Sequence, residues 1–417
     1  MSTKKRKLSK ESRKKIIIAF VAVCAIALIA EAGLLIHTFS KKKPAGKPES
    51  EPTLTEEPQV SGSPSPTPAP ETYSVWKLAK SFIIDGNNED VLMYEYLYDE
   101  LGRESGYISY ETDGVTVIET YESTYLPDGS RIEEVWMEDK NGKLLESYYY
   151  PPAVDLWNET FGLAKIDRCE KDESGRITSL RTLMDWDDPR MDHAPVEWTF
   201  QDGRVTGFYY LNEDGSIMQP WEILYDDSGR VTKVVAYYSE RGGDIAETIV
   251  IAYDGDSVTV TKTSGVGEYA LMEYKNGYLM HDETSKTLGP GVFTKWTQTY
   301  IWPKGNWPEF MRFSICGREA YYTDEDGEKK QNDAEKDSEG QPVVSTDYLS
   351  DGSVLSVAKY YYDFDGMLNR IDHYDSDGTQ STERFEFDEA GNLTYWDEAG
   401  IAFRFEWVEL KIPVEQK

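Results

Sequence analysis

The acids that stand just before glycines are the first residues here whose spacing could do chemistry. Asp324-Glu325-Asp326-Gly327, Asp363-Phe364-Asp365-Gly366 and Asp375-Ser376-Asp377-Gly378 each carry the D-x-D-G core of a calcium loop. An EF-hand loop also needs an acid or amide five residues before that glycine and a glutamate six after it. The earlier positions hold Tyr322, Tyr361 and His373, and the later ones Asp333, Asp372 and Arg384. All three lack the first ligand and the closing glutamate. The expectation is a β-turn capped by an Asp side chain, with weak calcium binding of another kind left open. The four histidines, His37, His193, His281 and His373, show no metal-ligand spacing, so no metal or other cofactor is expected. No nucleophile elbow, phosphate loop, dinucleotide fingerprint or H-E-x-x-H is present. A glycosidase needs only two acids, and residues 51–417 hold 73, so a hydrolase stays among the readings with no catalytic pair singled out.

Aromatic side chains are the second chemical resource. Two stretches break the rhythm of the rest, 151–165 and 284–317. The second contains Trp296, Trp302 and Trp307, with Pro303 and Pro308 beside the last two. Such a stretch reads as an ordered loop, a cap or a seam between sheet segments, and as the first place to seek a ligand surface. Tyr209, Tyr210 and Trp221 are the other candidate ligand-binding residues. They lie in Phe208-Tyr209-Tyr210-Leu211-Asn212-Glu213-Asp214-Gly215-Ser216-Ile217-Met218-Gln219-Pro220-Trp221, which resembles one unit of the choline- or glucan-binding cell-wall repeats. Tyr360-Tyr361-Tyr362-Asp363-Phe364-Asp365-Gly366 is a weaker echo, and the Gly-Trp opening of those repeats is missing from both. The resemblance implies ligands held between aromatics of adjacent hairpins. The competing reading is that these rings form the hairpin core.

The elements that must position these residues are strands. The 417 residues include 29 Tyr, 14 Phe, 11 Trp and 32 Gly, a composition suited to a pleated, half-buried surface. From residue 94 one pattern recurs: aromatic, acid, glycine, then a β-rich run. It appears as YDELGRES from Tyr98, YDDSGRVTKVV from Tyr225, YLSDGSVLSV from Tyr348 and FDEAGNLTYW from Phe387. Asp-Gly, Asn-Gly and Ser-Gly supply a positive φ beside a side chain that caps the turn. Near the C-terminus the glycines fall at 340, 352, 366, 378 and 391, one strand plus one turn apart. The predicted fold is therefore all-β, an antiparallel β-hairpin meander in which each hairpin buries little alone and stacks on its neighbours. The repetition resembles the YD-repeat (Rhs-like) family. Its matching residues are Tyr98-Asp99-Glu100-Leu101-Gly102-Arg103 and Tyr225-Asp226-Asp227-Ser228-Gly229-Arg230. Glu173-Ser174-Gly175-Arg176-Ile177 and Phe387 to Leu393 match in part, and the resemblance covers residues 94–405 patchily. It implies a cell-surface or secreted β-sheet array.

Charge and hydropathy set the address. Residues 1–50 hold 12 Lys or Arg against 3 Glu, which leaves residues 51–417 at −41 of the overall −32. A surface that acidic repels nucleic acid and anionic lipid, so neither DNA nor RNA is an expected partner of the outer part. Eight basic residues in 1–15 precede the apolar run Ile16–Phe39, which is long enough to span a bilayer. The asymmetry places residues 1–15 in the cytoplasm, 16–39 in the membrane as a signal-anchor, and the rest outside. A cleaved signal peptide ending near Ala30-Glu31-Ala32 is the rival reading, and apolar sequence resuming at Gly33-Leu34-Leu35-Ile36 speaks against it. Cys24 follows Val23, which does not fit a lipobox. Residues 40–72 are a Pro-rich spacer that cannot form a core. Residues 73–417 form the ectodomain. Cys169 and Cys316 within it could pair in an oxidising compartment. Three functions stand: a surface interaction or structural module, binding of a cell-wall polymer or carbohydrate, and a hydrolase.

Overall fold

The computed structural model describes residues 72–413 except 140, 158–162, 186–193, 213, 288–292 and 399. The anchor expected at 16–39 and nearly all of the spacer expected at 40–72 lie outside the described residues, and no helix among those described is long and apolar enough to cross a membrane. The chain begins with six strands: β1 (Thr72–Ile84), β2 (Asp90–Tyr98), β3 (Glu104–Tyr110), β4 (Val117–Tyr125), β5 (Arg131–Met137) and β6 (Leu144–Tyr150). A single-turn helix α1 (Val154–Trp157) follows. Next come β7 (Leu163–Lys171), β8 (Ile177–Asp185), β9 (Ala194–Gln201), β10 (Arg204–Leu211), β11 (Ile217–Tyr225) and β12 (Val231–Tyr237). They lead to β13 (Ile245–Asp254), β14 (Ser257–Ser264), β15 (Tyr269–Lys275), β16 (Tyr278–Thr287) and β17 (Phe293–Ile301). After a 3-10 turn (Glu309–Met311) and α2 (Arg312–Ile315) come β18 (Gly317–Asp324), β19 (Gly327–Lys336), β20 (Pro342–Tyr348) and β21 (Val354–Tyr362). The chain closes with β22 (Leu368–Asp375), β23 (Gln380–Phe387), β24 (Leu393–Glu398) and β25 (Ile401–Pro413).

Each strand pairs antiparallel with the next, as the hairpin pattern predicts. The meander does not stay open: β1 also pairs with β25, from Thr72↔Pro413 to Ile84↔Ala402, which makes a closed 25-stranded barrel. Nothing in the repeats foretells that closure, since it joins segments more than 300 residues apart.

The repeat residues have defined jobs. At the corner of β2 and β3, Asp99 Oδ1 accepts the N–H groups of Leu101 and Arg103, both at 2.9 Å. Its Oδ2 receives Arg103 Nε and Nη2, each at 2.7 Å. Gly102 takes φ 71°, and the strand register slips by one residue just before the corner, between Leu97 and Tyr98. That is a tight turn closed by a glycine bulge. Asp172 with Arg176 and Asp226 with Arg230 repeat the arrangement. Tyrosines at or next to the end of the strand before a corner reach back one hairpin. Tyr98, Tyr125, Tyr225, Tyr253 and Tyr362 donate their hydroxyls to the carbonyls of Leu78, Glu104, Val205, Val231 and Pro342. The residue before several of those carbonyls lays a cation on the same ring: Arg103 on Tyr125 at 4.0 Å, Arg204 on Tyr225 at 4.8 Å, Arg230 on Tyr253 at 4.5 Å. The Tyr, Asp, Gly and Arg of the motif thus cap their own turn and lock it to the hairpin before and after.

A ring of this many strands is wider than its own side chains can fill. Residues 151–157 and 302–316, within the two stretches that break the repeat rhythm, pack into that space. One core packs on α1, whose Val154, Leu156 and Trp157 meet Tyr149, Leu180, Trp198, Phe208, Val234 and Ile249. The other packs on residues 302–316, where Trp307, Met311 and Ile315 meet Leu78, Tyr360, Leu368, Ile371, Phe385, Leu393 and Phe405. Backbone bonds tie the second segment across the barrel: Asn306 N to Gly391 O at 2.8 Å and Leu393 N to Asn306 O at 3.1 Å. The outer face carries cross-strand ion pairs around its circumference, among them Lys80–Glu95, Arg181–Glu197, Lys295–Glu283, Arg384–Asp397 and Arg404–Asp90. These pairs differ from the apolar belt that a lipid-facing barrel presents. Cys169 and Cys316 are not joined in a disulfide; the first packs against the α1 core and the second is buried at the start of β18. Burial pushes the Cys316 thiol up to about 12.

Candidate functional site

Tyrosines at alternate positions of a strand share one face. Tyr94, Tyr96 and Tyr98 on β2 therefore point into the barrel together, Tyr107 on β3 sits opposite Tyr96, and Tyr121 on β4 sits opposite Tyr107. Tyr107 and Tyr121 stack at 4.2 Å with planes 15° apart, while Tyr94 meets Tyr107 edge-on at 6.1 Å. This tyrosine wall faces the two inward segments across a cavity of about 670 Å³. Val154 and Asp155 of α1 border one side; Asn306, Trp307, Glu309, Phe310 and Arg312 border the other. Trp76, Trp407 and Ile412 of β1 and β25 complete it. The size falls within the range usual for small-molecule sites, and thirteen lining residues are aromatic, nine of them tyrosine.

The charges on the wall balance. Glu104, Glu119, Asp155 and Glu309 are matched by Lys77, Arg103, Arg131 and Arg312, in a chain whose overall charge is −32. Each guanidinium is engaged: Arg103 with Asp99, Arg131 3.8 Å from Glu133, and Arg312 3.7 Å from Glu309. Arg131 and Arg312 also lie over the rings of Tyr150 and Tyr278, at 4.3 and 4.5 Å. Burial pushes the Glu309 carboxyl up, against the pull of Arg312 and Lys77. Burial likewise pushes the Lys77 ammonium down, and it pushes the Tyr98 and Tyr121 hydroxyls well above their ordinary range. Tyr121 Oη donates to Glu119 at 2.9 Å. The result is an electroneutral, ring-lined space with polar tips held in fixed directions.

The residues singled out from sequence fall in several places. Trp307 is buried, lines the cavity, and donates Nε1 to Lys304 O at 3.1 Å. Trp302 donates to Leu279 O at 2.9 Å and packs 5.2 Å from Tyr278. Trp296 is on β17 beside Tyr322, 6.4 Å away. Tyr210 and Trp221 are buried in the α1 core, where Trp221 stacks on Phe208 at 5.3 Å, and Tyr209 is half-buried on the opposite face of β10. Only Trp307 of the six reaches the cavity. The tyrosines of β2–β4, Lys77, Glu309 and Arg312 were not singled out. The alternation in Met93-Tyr94-Glu95-Tyr96-Leu97-Tyr98 was the available signal. At the D-x-D-G corners, Asp324, Asp363 and Asp377 accept turn N–H groups from Asp326, Asp365 and Thr379 at 2.8–2.9 Å, the geometry of an Asx-capped turn.

No protein-family profile matches the chain, and no curated relative matches it. Among solved structures, it is similar to a TcdB2-TccC3-TEV chain at 12% identity over 78% of this chain and 23% of that one, with a TM-score of 0.15. It is similar to porin-like proteins from Bacteroides vulgatus and Bacteroides uniformis at 10% identity. Those matches cover 79% of this chain and 97% and 96% of theirs, at TM-scores of 0.22 and 0.18. The chain spans about a quarter of the TcdB2-TccC3-TEV chain it matches. With every TM-score below 0.5, these likenesses carry no argument about function. The YD-repeat resemblance rests on the motif residues alone, whose structural jobs are those of the corner and the tyrosine ladder.

Proposed function

We propose that this chain is a membrane-tethered, extracytoplasmic binding module whose barrel cavity receives a carbohydrate, such as a segment of cell-wall polymer. The observation that carries the reading is the tyrosine wall opposite Trp307. Flat rings with polar tips match a sugar's apolar faces and equatorial hydroxyls, and an electroneutral lining favours a neutral polar ligand over a cation or an anion. The anchor at 16–39 and the spacer at 40–72 would hold the barrel clear of the bilayer, within reach of the wall. Repeat aromatics in this reading act through the cavity and not through the outer hairpin surfaces.

The test is titration of the detergent-solubilised full chain with soluble peptidoglycan fragments, glucans and chito-oligosaccharides. It is followed by the fluorescence of Trp76, Trp307 and Trp407. Tyr107→Ala and Tyr121→Ala each remove a stacking ring, and at ~1 kcal/mol per ring contact each is expected to weaken binding about fivefold. Binding that is unaltered in both variants, or sugars that leave the tryptophan emission unchanged, refutes the site. Release of shorter sugars in the same mixture would instead mark the chain as a hydrolase.

A further inference from the structure

We propose that β25 carries a self-complementary edge through which two copies of this chain pair. β1 and β25 run together as far as Thr72 and Pro413, but β25 pairs with β24 only between Ile401 and Arg404. β1 pairs with β2 only from Lys80 onward. The two therefore continue past the rim as a ribbon. From Val408 to Pro413, β25 has β1 on one side and, among the described residues, no strand on the other. An open edge presents backbone donors and acceptors that template another strand.

The side chains on that edge select one partner and one register. Backbone groups pointing to the open side belong to residues of one parity, so opposed positions in an antiparallel pair of copies must sum to an even number. A twofold axis at Leu410 sets Glu409 of each copy opposite Lys411 of the other, and Val408 opposite Ile412. Glu409 and Lys411 are both exposed and share a face, as such a pairing requires. An axis at Glu409 opposes two glutamates, and an axis at Lys411 opposes two lysines, so both neighbouring registers are repelled. Trp407–Pro413 is also locally neutral in a chain of net charge −32, so the paired segments themselves add no net repulsion. The β1 edge lacks this match, because Lys77 lies in the cavity wall. Since Trp407 and Ile412 border the cavity, pairing sets two cavities on either side of the axis and makes the dimer bivalent for a polymer.

The test uses the full chain in detergent, in a Cys24→Ser background. Leu410→Cys places a thiol on the axis and is expected to give a disulfide-linked dimer under mild oxidation, while Val75→Cys stays monomeric. Glu409→Lys and Lys411→Glu each oppose like charges twice, and each is expected to raise the dimer dissociation constant at least tenfold in sedimentation. The double swap restores the pair and the affinity. A chain that sediments as a monomer throughout, cross-linking at position 75 in place of 410, or a double swap as weak as the single ones overturns the proposal. The readout is independent of any sugar, so its failure leaves the cavity reading standing and the reverse also holds.

Discussion

Asp128-Gly129-Ser130 and Asp214-Gly215-Ser216 are the same three residues at two corners, yet removing the acid should have very different effects. Locally the corners match. Asp214 Oδ1 accepts Ser216 N at 2.9 Å and its hydroxyl at 2.6 Å; Asp128 Oδ1 accepts Ser130 N at 3.1 Å and its hydroxyl at 2.6 Å. Asp214 stands in solvent, where water replaces what is lost. Asp128 is buried, and its Oδ2 crosses the barrel to accept the N–H of Val205 at 3.0 Å. Val205 is wholly buried, so Asp128→Ala strands that N–H without water. An orphaned buried donor costs about 1–3 kcal/mol, and losing bonds to a charged acceptor adds about 1.5–3 kcal/mol. The expected loss for Asp128→Ala is ~3–5 kcal/mol, against a small change for Asp214→Ala. Asp128→Asn should fall between, since its amide can satisfy Ser130 or Val205 but not both. Urea unfolding of the two alanine variants, with hydrogen exchange at the Val205 amide, measures the difference. Equal shifts in the two variants, or an unchanged exchange rate at Val205, would show that the cross-barrel bond contributes nothing.

Two further outcomes follow from particular residues. His373 Nε2 lies 2.7 Å from Glu383 Oε1, and that hydrogen bond raises the imidazole above its ordinary value. A raised folded value stabilises fully below the unfolded His value of about 6.5 and fades as pH climbs through the folded one. Glu398, directly opposite Glu383 and pushed up by burial, acts with the same sign, and Asp375 supports the charged imidazole. Stability should therefore fall as pH rises from 6.5, and His373→Gln should flatten that slope in thermal melts taken across pH. Gly102 has φ 71°, and a Cβ there would stand 2.4 Å from Ile412 Cδ1, whereas Gly378 has φ 88° with open space around it. Gly378→Ala should cost only the left-handed backbone penalty of about 1–2 kcal/mol. Gly102→Ala should cost more and displace the β1–β25 ribbon, seen as altered Trp76 and Trp407 fluorescence.

The local grammar of this protein is written in its sequence. Asp-Gly and Ser-Gly corners, aromatic strips between them and their 12- to 14-residue spacing fix an antiparallel meander, because a turn is decided by the φ its residues allow and the side chain that caps it. The tyrosine and arginine are legible too in the repeats that carry them, since they act on the adjacent hairpin. Residues 151–165 and 284–317 stand out as foreign to the rhythm, but their destination does not. That the ends of the meander join, that the ring so formed is too wide to fill itself, and that residues 151–157 and 302–316 therefore turn inward are consequences of closure between distant segments. The cavity inherits that non-locality. Tyr94, Tyr107 and Tyr121 come from three consecutive strands, but Asp155, Glu309 and Trp407 join them only because β1 meets β25 and the plugs cross the interior. Asp128 and Asp214 make the same point at a single residue: the sequence dictates the turn, and only burial across the barrel decides what the turn holds.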